Sequence, residues 1–107
     1  ANLDAGIIAC EVVDECLGSV VSAALEMDYT VLVTGDHGNI ESMFYPDGEP
    51  NPSHGMNPVP FIVISSEEEF RTCKLKKGEG LSSVSPTILD IFGLRKPEAM
   101  DAVSLLV

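Results

Sequence analysis

The sequence predicts an α/β fold, and three observations carry that reading. A long opening segment repeats apolar residues at helical spacing, two short β-branched runs are continuously apolar, and a second helical pattern closes the chain. Continuously apolar strands alternating with helices are the pattern of a sheet buried on both faces.

Residues 3–27 read as one amphipathic helix. Ile8, Val12, Val13, Cys16, Leu17, Val20, Val21, Ala24 and Leu25 recur at spacings of three and four. Asn2 or Asp4 can cap its start, where early acidic residues also suit the helix dipole. Residues 29–34, YTVLVT, form the first expected strand, and 59–64, VPFIVI, the second, with Pro60 near its start. The two are expected to lie side by side and close to parallel. Between them, residues 44–58 hold Pro46, Pro50, Pro52 and Pro58 with Gly48 and Gly55, which makes the segment loop. Within it, Pro46-Asp47-Gly48 signals a turn, because proline fixes one φ and glycine tolerates a positive one.

After the second strand, Glu67 to Glu69 reads as a solvated acidic turn and residues 70–75 as a short edge strand. Ser85 and Pro86 are placed as cap and first residue of a final helix. Its apolar face would be Ile88, Leu89, Ile91 and Phe92, and Gly93 and Pro97 would stop it. No repeat, low-complexity tract or internal boundary is visible, so residues 1–107 read as a single partial domain.

Composition removes several functions. The net charge of −11 repels a phosphate backbone, so nucleic acid is not an expected partner. No apolar run reaches the roughly 18 residues of a membrane span. The opening residues carry neither Met nor a basic stretch, so no signal peptide is read, and an abrupt start in a helical pattern suggests a piece of something longer. The three cysteines, Cys10, Cys16 and Cys73, are odd in number and lack metal spacing. They are expected to be reduced, buried small hydrophobes of a cytoplasmic protein.

The residues that can carry chemistry cluster after the first strand. Asp36 and His37 stand side by side at the carboxyl end of 29–34, where open α/β sheets keep ligands. A carboxylate next to an imidazole suits manganese, zinc or iron better than calcium. The same pair could equally serve a cap or turn. His54 follows 17 residues later, the only other histidine, and its loop leads back to the sheet, so it could return beside His37 or simply lie exposed. Gly35 and Gly38 leave room for backbone to approach an ion. Asn39 and Glu41 could orient the imidazoles or sit in a surface turn. Ser53, Ser65 and Ser66 lack a context that would activate a nucleophile, and no glycine-rich phosphate loop is present.

In order along the chain stand Thr34-Gly35-Asp36-His37-Gly38-Asn39, then Ser53-His54-Gly55-Met56-Asn57-Pro58-Val59-Pro60-Phe61, then Ser85-Pro86-Thr87-Ile88-Leu89-Asp90 and Gly93-Leu94. This set, with Val13-Asp14-Glu15-Cys16 before it, resembles the cofactor-independent phosphoglycerate mutases of the alkaline phosphatase superfamily. The resemblance covers almost the whole chain. It implies the carboxy-terminal part of a three-layer, metal-binding phosphatase-like sheet domain. It also implies a glycolytic isomerase that interconverts 2- and 3-phosphoglycerate through a phosphoserine, with two divalent ions, manganese foremost. By resemblance, Asp36 and His37 bind one ion and His54 the other. The nucleophilic serine and the family's remaining ligands, including an Asp-x-x-x-His motif, are not found here, so these 107 residues alone are expected to be inactive. Gly35 stands where the family often has alanine, Gly55-Met56 where it often has two threonines, and Ser83 where it often has aspartate. Two other readings stay open: a fragment of a related enzyme such as a phosphopentomutase, and a non-catalytic module that folds or assembles. With only two strong strands, the chain is expected to self-associate through a strand edge or the Ile8–Leu25 helix face, or else to be only marginally folded.

Overall fold

The computed structural model describes residues 1–107, which divide into two compact units, 1–71 and 72–107. No shift in composition marks the passage between them.

The first unit opens with α1, Leu3–Glu26. Of the two cap candidates, Asn2 does the work: its Oδ1 accepts the Ala5 N–H at 3.1 Å. Leu17, Val21, Ala24 and Leu25 are half-buried and mark the face that packs toward the sheet. Leu3, Ile7, Ile8, Val12, Val13 and Val20 remain 50–65% exposed, so most of the apolar face has no partner within the chain. Cys10 and Cys16 lie exposed on this helix and Cys73 is half-buried, which corrects the expectation that all three are buried.

Two strands form the sheet, β1 Val31–Thr34 and β2 Phe61–Ile64, shorter at their amino ends than the apolar runs suggest. They are antiparallel, with Val31 opposite Ile64 and Thr34 opposite Phe61, not near-parallel as expected. A parallel pair needs a crossover, usually a helix, that carries the chain back along the sheet. Residues 35–60 contain only a 3-10 turn at Ile40–Ser42 and fold back on themselves, so β2 returns in the opposite direction. Neither strand is buried on both faces: Val31, Leu32 and Val33 are half-buried and Ile62 is exposed. Beyond the strand ends, the Thr30 hydroxyl meets that of the buried Ser65 at 2.8 Å and ties the two strands once more.

The proline-rich loop turns where expected. Gly48 N–H donates to Tyr45 O at 2.9 Å, with Pro46 at the second position and Gly48 at φ +87°. The acidic run is not a turn but the start of α2, Glu68–Arg71, which packs on β2.

In the second unit, the expected edge strand at 70–75 is absent. Only Leu75 bridges, to Leu106, with Lys76 N–H donating to Leu105 O at 2.8 Å. A 3-10 turn at Leu81–Ser83 runs directly into α3, Val84–Ile91. The cap position therefore belongs to Ser83 rather than Ser85, and Pro86 sits at the third helical position, still within the turn whose N–H groups lack helical acceptors. The exit follows the sequence. Gly93 at φ +66° donates to Asp90 O and Leu94 to Leu89 O, the paired bonds of a Schellman end. The centre of this unit is small: Leu105, Pro86, Thr87 and Ser83 are buried, whereas Ile88 and Phe92, expected on the packed face, are 39% and 73% exposed. The Thr87 hydroxyl donates to Ser83 O at 2.7 Å and accepts the Leu105 N–H at 2.9 Å, which fastens the final segment to α3.

Candidate functional site

The site lies in the first unit, where β1 ends and β2 begins. Antiparallel pairing puts the carboxyl end of β1 beside the amino end of β2, so the loops after Thr34 and before Phe61 share one edge. Gly38 and Gly55 pair their backbones across those loops, each N–H donating to the other's carbonyl. Asn51 holds the far side of the return, donating to Ser42 O through Nδ2 at 3.0 Å and to Met43 O through its backbone at 2.8 Å.

These ties bring the two histidines together. The His37 and His54 rings stack with centroids 3.6 Å apart and planes 10° from parallel. His37 Nε2 stands 3.6 Å from Asp36 Oδ1, and its Nδ1 is 3.1 Å from Gly38 O. The Gly38 carbonyl can only accept, so it pairs with a ring that carries a proton on Nδ1. The His37 side chain is 34% exposed and the Asp36 side chain 89% exposed. Beside them opens a cleft of about 360 Å³, lined by His37, Ile40, Glu41 and the Pro58-Val59-Pro60 segment.

This donor set suits a divalent ion in part. A carboxylate oxygen and an imidazole nitrogen each about 2.1 Å from one ion at a tetrahedral angle stand about 3.4 Å apart, close to the Asp36–His37 separation. Imidazole lone pairs lie in the ring plane. Two stacked rings therefore direct them along separate, nearly parallel planes. No group of three or more His, Cys, Asp or Glu side chains converges on one point, so these residues by themselves do not enclose an ion.

Asn39 and Glu41 make no hydrogen bond to the rings. Asn39 donates its N–H to Glu41 Oε2 at 2.9 Å, and its Nδ2 lies 3.4 Å from Ser53 O. Glu41 Oε1 accepts Asn57 Nδ2 at 3.0 Å. The Asn39 N–H, Glu41's own N–H and the Asn57 amide hold the Glu41 carboxyl below its ordinary value, with a smaller pull from His37. Sequence reasoning passed over Asn57; its one signal was an amide at the end of the His54 loop, just before the prolines that lead into β2. At Gly38 the room is taken, since a Cβ there would overlap Glu41 Oε1, whereas one at Gly35 would make ordinary contact with Val59 at 3.5 Å.

Comparison with known proteins identifies the family. The family model described as the Metalloenzyme superfamily matches residues 1–96. The chain is 45% identical over 104 residues to a protein of Flavobacterium psychrophilum named 2,3-bisphosphoglycerate-independent phosphoglycerate mutase, covering 97% of this chain and 20% of the relative. Relatives of the same name from Desulforudis audaxviator and Symbiobacterium thermophilum are 50% and 47% identical over 105 and 106 residues, each covering 98% of this chain and 20% of the relative. The chain thus spans about a fifth of the length of the curated relatives it matches. A motif order that runs through the whole chain, and a family match over residues 1–96, agree that this chain belongs to the Metalloenzyme superfamily.

Proposed function

We propose that these residues are one segment of a metal-dependent phosphoglycerate mutase that interconverts 2- and 3-phosphoglycerate in glycolysis, in the cytoplasm. The observation that carries the reading is the coincidence of two facts. The chain is 45–50% identical to mutases along nearly its whole length, and its only two histidines meet at the strand edge beside Asp36. The single-domain reading belongs here too: both units would be parts of one metal-binding, phosphatase-like domain whose remaining strands lie in the rest of the protein. No helix of the chain is long and apolar enough to cross a membrane.

In this reading Asp36 and His37 would hold one divalent ion and His54 a second, manganese being the expected metal. Such ions would supply activation of a serine nucleophile and stabilisation of charge on a transferring phosphoryl group. The chain's own contribution is placement. The Gly38–Gly55 backbone pairing holds the imidazoles in register, and the Gly38 carbonyl fixes the His37 ring. The exposed Asp36 carboxylate stays free to take a ligand. Nothing in these residues supplies the serine, so the 107 residues alone are expected to form no 2-phosphoglycerate from 3-phosphoglycerate with manganese present.

A chimera tests the reading. The matching fifth of the Desulforudis audaxviator relative is replaced by this chain, and 2-phosphoglycerate formation is assayed with manganese. An active chimera that loses activity on Asp36→Asn or His54→Ala is expected. A folded chimera with no activity, or one indifferent to both substitutions, refutes the assignment.

A further inference from the structure

We propose that Glu41 is a positioning residue for the His37–His54 pair, its carboxylate fastening together the two loops that carry the imidazoles. The inference rests on the reading above only in taking those imidazoles as metal ligands.

The geometry is a two-handed clasp. One carboxylate oxygen accepts the backbone N–H of Asn39, two residues after His37. The other accepts the side-chain amide of Asn57, three residues after His54. Between these bonds lies the Gly38–Gly55 backbone pairing, flanked immediately by the two histidines. Both glycines make way for the carboxylate: a Cβ at Gly38 would overlap Oε1, and one at Gly55 would stand 3.2 Å from it. Bonds to an ionised carboxylate are stronger than those between neutral groups, so an exposed surface loop gains a fixed spacing it would otherwise lack. Glu41 makes no hydrogen bond to either ring, and its effect passes through the loops that carry them.

The chain has only two histidines, so labelling histidine alone gives a simple NMR readout. Stacked rings shift each other's protons upfield and show an inter-ring NOE. Cross-strand NOEs between Val31 and Ile64 and between Val33 and Ile62 report the sheet independently. In Glu41→Ala, and in Gly38→Ala, the inter-ring NOE and upfield shift are expected to vanish while the cross-strand NOEs stay. Glu41→Gln should keep part of the stacking, since an amide oxygen still accepts from Asn57 but its nitrogen cannot accept from Asn39. Glu26→Ala, on α1, should change nothing. In a parallel Mn²⁺ titration, broadening of the ring signals should need roughly tenfold more metal in Glu41→Ala. Unchanged stacking in Glu41→Ala overturns the proposal. Loss of the cross-strand NOEs in both Glu41→Ala and Glu41→Gln overturns it as well, assigning Glu41 to the fold in general. If stacking depends on Glu41 but Mn²⁺ never broadens the wild-type rings, the metal reading fails while the clasp stands.

Discussion

Replacing Thr87 by valine should unfasten the end of the chain at a cost that can be estimated from two hydrogen bonds. Thr87 is fully buried, and valine has nearly its shape, so little packing changes. The Ser83 carbonyl can still serve as a helical acceptor, so losing the hydroxyl bond to it forgoes about 0.5–1.5 kcal/mol. The Leu105 N–H fares worse. It belongs to a residue only 7% exposed and has its acceptor in that hydroxyl, so leaving it unpaired costs about 1–3 kcal/mol. Together the loss is about 1.5–4.5 kcal/mol, a large share of the roughly 5–15 kcal/mol that holds a domain of this size. Thr87→Ser keeps both bonds and loses one buried methyl, about 1 kcal/mol. Urea denaturation followed by circular dichroism should therefore rank wild type above Thr87→Ser and both above Thr87→Val, with the valine midpoint lowered by about 1–2 M. Amide exchange at Leu105 should accelerate in the valine variant alone. If valine proves as stable as serine, the buried hydroxyl does not hold the Leu105 segment, and the account of the second unit is wrong.

Three further outcomes are expected. Calorimetry with manganese should show weak binding by the 107-residue chain, because each ion would have one or two protein ligands and water for the rest; tight uptake of two ions per chain would contradict the open geometry. Light scattering should show self-association that grows with salt: α1 leaves six large apolar side chains half or more exposed, and the opposing charge of −11 is screened as the Debye length falls from about 10 Å at 0.1 M to about 3 Å at 1 M salt. A monomer indifferent to salt would remove that argument. The Glu41 clasp should loosen in acid. Its carboxyl is depressed in the folded chain, so its contribution is full above the ordinary value of 4.5 and is lost as pH falls through the folded value. The amide shift of Asn39, whose N–H donates to the carboxylate, should move as pH falls below 4.5 in wild type, and Glu41→Gln should lack that movement.

What the sequence made legible is what local chemistry decides. Asn2, apolar spacing and the absence of proline specify α1 to within a residue of its ends. A glycine in the left-handed region closes α3 where Gly93 stands. The strand cores were legible as β-branched runs, but their direction was not, because direction depends on the path of residues 35–60 and no residue pattern there encodes it. Burial was overread for a related reason. A continuous apolar run reports what a strand can pack against, not whether the same chain supplies it, and Val31–Thr34 finds only β2 and one face of α1. Ser85 was misplaced as a cap because the 3-10 turn at Leu81–Ser83 starts the helical path earlier, and such turns leave little trace in composition.

The site divides in the same way. Asp36, His37 and His54 could be picked out by residue type, since few side chains offer lone pairs to a transition metal and this chain has two histidines in all. Glu41 was picked out too, yet for a different task. A carboxylate near an imidazole invites the reading that it orients the ring directly, but the partners of Glu41 are a backbone N–H and the amide of Asn57, neither visible as a ligand motif. The glycines carried the missing information. Gly38 was legible as room near the site, and room beside a metal-type pair suggests room for an ion; Gly55 was legible only as part of the loop. In the folded chain that room is filled by a Glu41 oxygen, close to both missing Cβ positions. A side chain added at either glycine would therefore press first on the Glu41 carboxylate, and would reach the His37–His54 pair only through the loops that the carboxylate holds together.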